Sequence, residues 1–281
     1  MIPAFLITLR EGLEAALIVG IVAAYVVRIG RRDALPRVWI GVGVAVGLSI
    51  LIGLVVVSTI ERLPLVVQES IEGITALIAV AILTWMLFWM RRQGRAMKGE
   101  LEHGVDLALA KGSVAALVGL AFVAVFREGI ETVLFMAVVF SASQAGPGPT
   151  IGAILGLAVA VLIGWAIFVA GVRIDLRRFF TITGTLLIFV AAGLCAFAVG
   201  EFGEAGLIAN TGAVWDLSGV LPETSALGSV LAGLLGYRAT PTPLEVIAYF
   251  AYLIPVLILF VWGDRRSAPR PKPVDSEASR A

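Results

Sequence analysis

The sequence predicts an all-α, polytopic membrane protein: seven transmembrane helices built as a 3+3 inverted repeat plus one, N-terminus outside and C-terminus cytoplasmic. Three observations carry that expectation. The first is composition. Of 281 residues, 59% are hydrophobic and 15% charged, and the mean hydropathy is +1.01. A soluble domain of this length must show water a mostly polar exterior, which this chain cannot supply. The second is spacing: apolar stretches lie near 2–28, 38–60, 69–90, 112–140, 150–172, 179–200 and 244–262. Each comes close to the roughly 20 residues that a helix needs to cross the hydrocarbon. The third is charge, which falls on alternate loops.

Taken in order, the first stretch is no cleavable signal, because Met1-Ile2-Pro3-Ala4-Phe5 lacks a basic leader and the apolar run is too long. After it come Arg28, Arg31, Arg32 and Arg37, and after the third stretch Arg91, Arg92, Arg95, Lys98 and Lys111. Arg173, Arg177 and Arg178 follow the fifth, and Arg265, Arg266, Arg270, Lys272 and Arg280 lie in the tail. The opposite side has only Arg62 and Arg238. By the positive-inside rule the basic side is cytoplasmic, and the alternation holds only for an odd number of spans. Residues 1–262 therefore read as one transmembrane domain. Repeat one covers about 1–95 and repeat two about 112–204, followed by an outer loop 205–243 and a seventh helix 244–262. The run Gly228–Tyr237 is too short to span and reads as an interfacial or re-entrant helix. Pro255 is expected to kink the seventh helix, Tyr249 and Tyr252 to pack, and Trp262 to anchor at an interface. The loop 91–111 reads as a solvated helical linker. The Pro- and charge-rich residues 263–281 read as a disordered cytoplasmic tail.

Two basic residues fall inside apolar spans, and they share a motif. Span one reads Arg10-Glu11-Gly12-Leu13-Glu14 and span four Arg127-Glu128-Gly129-Ile130-Glu131. On a helix Glu11 and Glu14 share a face, Arg10 can pair with Glu14 one turn on, and the glycine lets a neighbouring helix come close. Pairing each arginine with one glutamate leaves one carboxylate per motif over. Six such charges at the bilayer centre cost on the order of 15 kcal/mol if unpaired. The two motifs are therefore expected to face each other, as a cluster of net charge near −2 that a cation completes. The bland alternative is a salt-bridge lock between spans one and four, which has little use for surplus carboxylate. With three spans per unit the second unit is inverted, which places the cluster at the midplane between repeats, as in many transporters.

The ligand set is carboxylate oxygen. The single histidine, His103, falls in the cytoplasmic loop, and the single cysteine, Cys195, reads as a small core residue, so neither a multi-histidine site nor a disulfide framework is available. Hard or borderline cations suit such a site (Mg, Ca, Mn, Fe), and chemistry alone does not choose among them. Two further pairs, Glu69 with Glu72 at the start of span three and Glu201 with Glu204 after span six, read either as solvated helix ends or as an outer vestibule that gives cations access. A net charge of +1 offers nothing to nucleic acid.

The paired motifs resemble the signature of the oxidase-dependent high-affinity iron permeases of fungi and their bacterial relatives. Val214-Trp215-Asp216-Leu217-Ser218, the Gly228–Tyr237 run, Pro243-Leu244-Glu245 and Tyr252-Leu253-Ile254-Pro255 are similar to the C-terminal region of the bacterial branch. The resemblance covers about residues 1–262. It implies seven membrane helices, a plasma-membrane location and iron as the transported substrate, with no catalytic cofactor. It also implies Glu11, Glu14, Glu128 and Glu131 as iron ligands, Arg10 and Arg127 as motif partners, and iron-oxidising or iron-delivering partner proteins on the outer side. The basic tail departs from the acidic tail of the fungal members. Two rivals are a secondary transporter of another cation or cationic solute, and a carboxylate-type membrane metalloenzyme. The second is weakened because no span holds a histidine for the usual Glu-x-x-His pattern.

Overall fold

The computed structural model describes residues 1–60, 64–93, 103–107, 114–142, 147–168, 176–209 and 212–265, and among them every regular element is helical. In chain order these are α1 (Ile2–Arg28), α2 (Leu35–Ile60), α3 (Leu65–Gln93), α4 (Val114–Ser141), α5 (Gly148–Phe168), α6 (Leu176–Glu204), α7 (Ala226–Leu235) and α8 (Pro243–Arg265). A helical turn covers 103–107. The ends follow local chemistry. Pro3 sits in the first turn of α1, where its missing N–H costs nothing, and Arg28 lies in the last turn, against the negative end of the dipole. At the start of α8, Thr242 and Glu245 form a capping box: the Glu245 N–H donates to Thr242 Oγ1 (3.4 Å) and the Thr242 N–H to Glu245 Oε2 (3.2 Å).

Five of the helices (α2, α3, α5, α6 and α8) are long and apolar enough to cross a membrane. Helices α1 and α4 have 27 and 28 residues, about 40 Å of helix, and carry three ionisable residues each in their motifs. Two boundaries differ from the sequence expectation. Helix α3 already begins at Leu65, so Glu69 and Glu72 stand one to two turns inside it. Helix α6 runs to Glu204, so Glu201 and Glu204 lie in its last turn rather than after it. Gly200 and Gly203 suggest an earlier stop, but the chain takes a left-handed conformation only at Gly206 (φ +73°), and the helix persists until there. Pro255 lies within an unbroken α8. The tail residues 266–281, most of the 91–111 linker and the side chain of Trp262 lie outside the described residues.

The packing order is not the chain order. Helix α1 lies along α5, α2 along α4, α3 against α6, and α6 against α8, while α1 and α4 meet each other. The second helix of each three-helix unit thus packs on the first helix of the other unit. Close approaches repeat in the same pattern. A Cβ on Gly12 would stand 2.8 Å from Ala160 Cβ, and one on Gly129 2.8 Å from Ser49 Cβ. Gly41 abuts the backbone of Val118 and Gly152 that of Met1; Gly53 abuts Val133 and Gly164 Ala16. One register of α1 on α4 (Arg10 on Arg127) and one of α2 on α5 (Ser49 on Ala160) carry all three pairs onto each other. Helices α3 and α6, 29 residues each, align end to end with Gly73 on Gly184.

The main core gathers Leu83 and Met86 of α3, Leu187 and Ile188 of α6, Phe260 of α8, Ile7 of α1 and Phe135 of α4. A second cluster gathers Val22, Val26, Val38, Val105 and Leu117. Outward faces stay apolar, with Trp39 and Leu54 on α2, Ile154 and Val161 on α5, and Ile247 and Leu259 on α8 all exposed. Such a continuous apolar exterior suits lipid rather than water. Cys195 is buried in the main core and His103 is exposed. The Tyr252 hydroxyl hydrogen-bonds Thr84 Oγ1 (2.6 Å), so this tyrosine packs inside the bundle.

Candidate functional site

The α1–α4 contact places the two motifs together. One carboxylate oxygen each from Glu11, Glu128 and Glu131 lie within 4.8 Å of one another. Glu11, Glu14 and Glu128 are buried, and Glu131 is partly so. Glu14 is aligned differently: its Oε1 stands 3.1 Å from Arg10 Nε, while the nearer Glu11 oxygen is 3.9 Å from Arg10 Nη1. In the second motif Arg127 reaches both carboxylates, Nη2 to Glu128 Oε1 at 3.2 Å and Nε to Glu131 Oε1 at 3.4 Å. Glu14 still lies within electrostatic reach of Glu131 and Arg127. The four glutamates and two arginines form one network, buried except at Arg127 and part of Glu131, with net charge −2 when all are ionised.

Most of its oxygens lack a hydrogen-bond donor. Glu11 Oε2, Glu14 Oε1, both oxygens of Glu128 and Glu131 Oε2 are buried without one, although Arg10 and Arg127 stand at ion-pair distance from Glu14 Oε1 and Glu128 Oε1. A buried carboxylate oxygen left unsatisfied costs several kcal/mol, whereas a bound cation accepts such oxygens as ligands. Three convergent oxygens of this kind fit a hard or borderline metal ion. Gly12 and Gly129, the central residues of the two motifs, admit α5 and α2 against the backbone, and a side chain there would push α5 off α1 and α2 off α4.

The four other predicted residues also come together, at one end of the bundle. Glu201, in the last turn of α6, lies within electrostatic reach of Glu69 and Glu72 at the start of α3 and of its own neighbour Glu204. Gln68 donates to Glu72 Oε1 (2.9 Å), and Glu69 Oε2 is buried without a donor. Beside them a cavity of about 250 Å³ is lined by Gly200, Gly203, Glu204, Arg238, Thr242 and Glu245. Glu245 is buried there and accepts from Arg238 Nη1 (3.0 Å). Sequence reasoning passed over this pair, although the capping-box spacing Thr242-Pro243-Leu244-Glu245 signals an anchored acid. The loop above is ordered by backbone pairing, Val214 N–H to Pro241 O (2.8 Å) and Leu217 N–H to Ala239 O (2.9 Å). Ser218 donates twice to Asp216 and holds its carboxyl below the usual carboxylate range. Helix α7 is capped by Ser225, whose Oγ accepts from the Gly228 N–H (3.0 Å). It ends at Gly236 (φ +66°), pressed on Gly193 about three turns (~16 Å) inside the end of α6.

Comparison with known proteins gives the family. Residues 1–265 match the iron permease FTR1 family. The chain is 46% identical over 271 residues to the ferrous iron permease EfeU of Yersinia pestis, covering 95% of this chain and 96% of that one. It is 44% identical over 271 residues to the ferrous iron permease EfeU of Escherichia coli O6:H1, covering 95% and 98%. No solved structure matches it. With a family match across nearly its whole length and relatives of this similarity, the chain belongs to the iron permease FTR1 family.

Proposed function

We propose that the chain moves iron inward across the plasma membrane through the carboxylate cluster between α1 and α4. As a member of a permease family with five strongly apolar long helices, it is a multi-pass membrane transporter and not an enzyme, which sets the metalloenzyme reading aside. The observation that carries the site is the convergence of Glu11, Glu128 and Glu131, from two copies of one motif, with buried oxygens that no donor satisfies. The salt-bridge lock leaves those oxygens unexplained. A transporter of another cation would use the same ligands, and the family decides for iron. The names of the relatives support Fe²⁺ as the species carried.

In this reading α1 and α4 cross the membrane with the other five, their motif charges neutralising one another at the midplane. The N-terminus lies outside and the C-terminus in the cytoplasm. The exchanged packing of α1 on α5 and α4 on α2 supports a 3+3 inverted repeat. Iron would approach past Glu69, Glu72, Glu201 and Glu204, supplied by iron-oxidising or iron-delivering proteins on that side. The test is labelled-iron uptake into proteoliposomes. Replacing Glu11, Glu14, Glu128 and Glu131 together by alanine is expected to abolish uptake while the protein still reaches the membrane. Full uptake by that variant would sink the site.

A further inference from the structure

The two motifs are chemically alike but their arginines are not equally held. Arg10 is 2% exposed and locked to Glu14, while Arg127 is 45% exposed. Arg127 also lies over an aromatic face: its guanidinium carbon stands 5.1 Å from the ring centroid of Trp89, near the end of α3. Trp89 is itself stacked on Trp85, with centroids 5.9 Å apart. In the end-to-end alignment of α3 with α6, the counterpart of Trp89 is Gly200, so the aromatic platform belongs to one repeat only.

We propose that Trp89 is a positioning residue for transport: it receives the Arg127 guanidinium when iron takes the carboxylates. This rests on the carboxylate cluster being the iron site. Arg127 contacts two of the three convergent glutamates, Glu128 and Glu131. A divalent ion on those oxygens repels a guanidinium at the same contacts, so one cation must give way to the other. Arg10, buried on all sides, has no room to do so. Arg127 has exposed space and a π face already in contact, and a guanidinium, flat and weakly hydrated, is the cation that such a face holds best. Arg127 thus neutralises Glu128 and Glu131 before iron arrives, and Trp89 keeps its charge from being stranded afterwards. The exchange sets the affinity of the site rather than the rate of the transport step.

The test is the iron-concentration dependence of Fe²⁺ uptake in proteoliposomes, with each variant's membrane content measured. Trp89→Leu is expected to raise the half-saturating iron concentration by roughly 2- to 30-fold, the range a cation–π contact supplies, with the maximal rate little changed. Trp89→Phe, which keeps a weaker π face, is expected to fall between wild type and Trp89→Leu. Trp39→Leu, on the apolar outer face of α2, is expected to match wild type. Trp89→Leu with wild-type half-saturation, or Trp89→Phe as defective as Trp89→Leu, would overturn the proposal. So would a fall in maximal rate alone, which is the mark of packing. Glu131→Gln, run in parallel, separates the two readings. If it transports normally the carboxylate site itself fails; if it is inactive while Trp89→Leu behaves as wild type, only the role of Trp89 fails.

Discussion

Glu11 and Glu14 stand one turn apart on α1, yet they make different contacts in the network. Glu14 is engaged with Arg10 at 3.1 Å, whereas Glu11 turns an oxygen to Glu128 and Glu131. In the proposed site Glu11, Glu128 and Glu131 would then be the ligands, with Glu14 the closer partner of Arg10. Single alanine substitution of any of the three ligands is expected to abolish iron uptake. Glu14→Gln is expected to transport still, with affinity lowered roughly 10- to 100-fold, as for other outer partners of metal ligands. Iron-uptake titrations of the four single variants decide this, and equal loss in all four would return Glu14 to the ligand set. The paired Arg-Glu-Gly-x-Glu motifs were enough to expect the cluster. The unequal contacts within it were not legible, because the motif spacing is the same in both copies and only the packing around each arginine differs.

At the scale of helices, glycine decides how near the pairs can come. Gly41 and Gly152 face backbone carbonyls of Val118 and Met1, which cannot move aside as a side-chain tip can. Gly41→Val or Gly152→Val is therefore expected to destabilise the bundle by about 1–3 kcal/mol, as overpacking does. Gly43→Val and Gly47→Val, which meet open space, are expected to leave the melting temperature in detergent unchanged. Seven long helices were readable from hydrophobic runs, most of them to within a few residues, because lipid-facing surface forces long apolar segments. Their partners were not. A run facing lipid on one side and helix on the other shows no clear period, so nothing in α2 or α5 announces which neighbour it takes. The end of α6 was missed for a related reason: Glu201 and Glu204 read as following the helix until the opposing helix is known, whereas Glu69 and Glu72 were expected at the start of their span and α3 begins four residues earlier.

Across the molecule, charge is sorted along the antiparallel α3–α6 pair. Glu69, Glu72, Glu201 and Glu204 gather at one end, and Arg91, Arg92, Arg177 and Arg178 occupy the sequence positions of the other. The orientation that this asymmetry implies has a direct check. A reporter after Ala281 is expected on the cytoplasmic side and one at Gly146 outside; the reverse would invert the transport direction as well.

The exchanged helices bear finally on how the protein is made. Helix α1 finds its main partner only when α5 has been synthesised, and α2 waits likewise for α4. At ordinary rates of translation, in the proposed topology α1 would wait in the bilayer for roughly 6–23 seconds with three ionisable side chains and no second motif to neutralise them. The first half of the chain is thus expected to be a substrate for quality control until the second half arrives. Halves severed between α3 and α4 and co-expressed should rescue each other from degradation, while either alone should not persist.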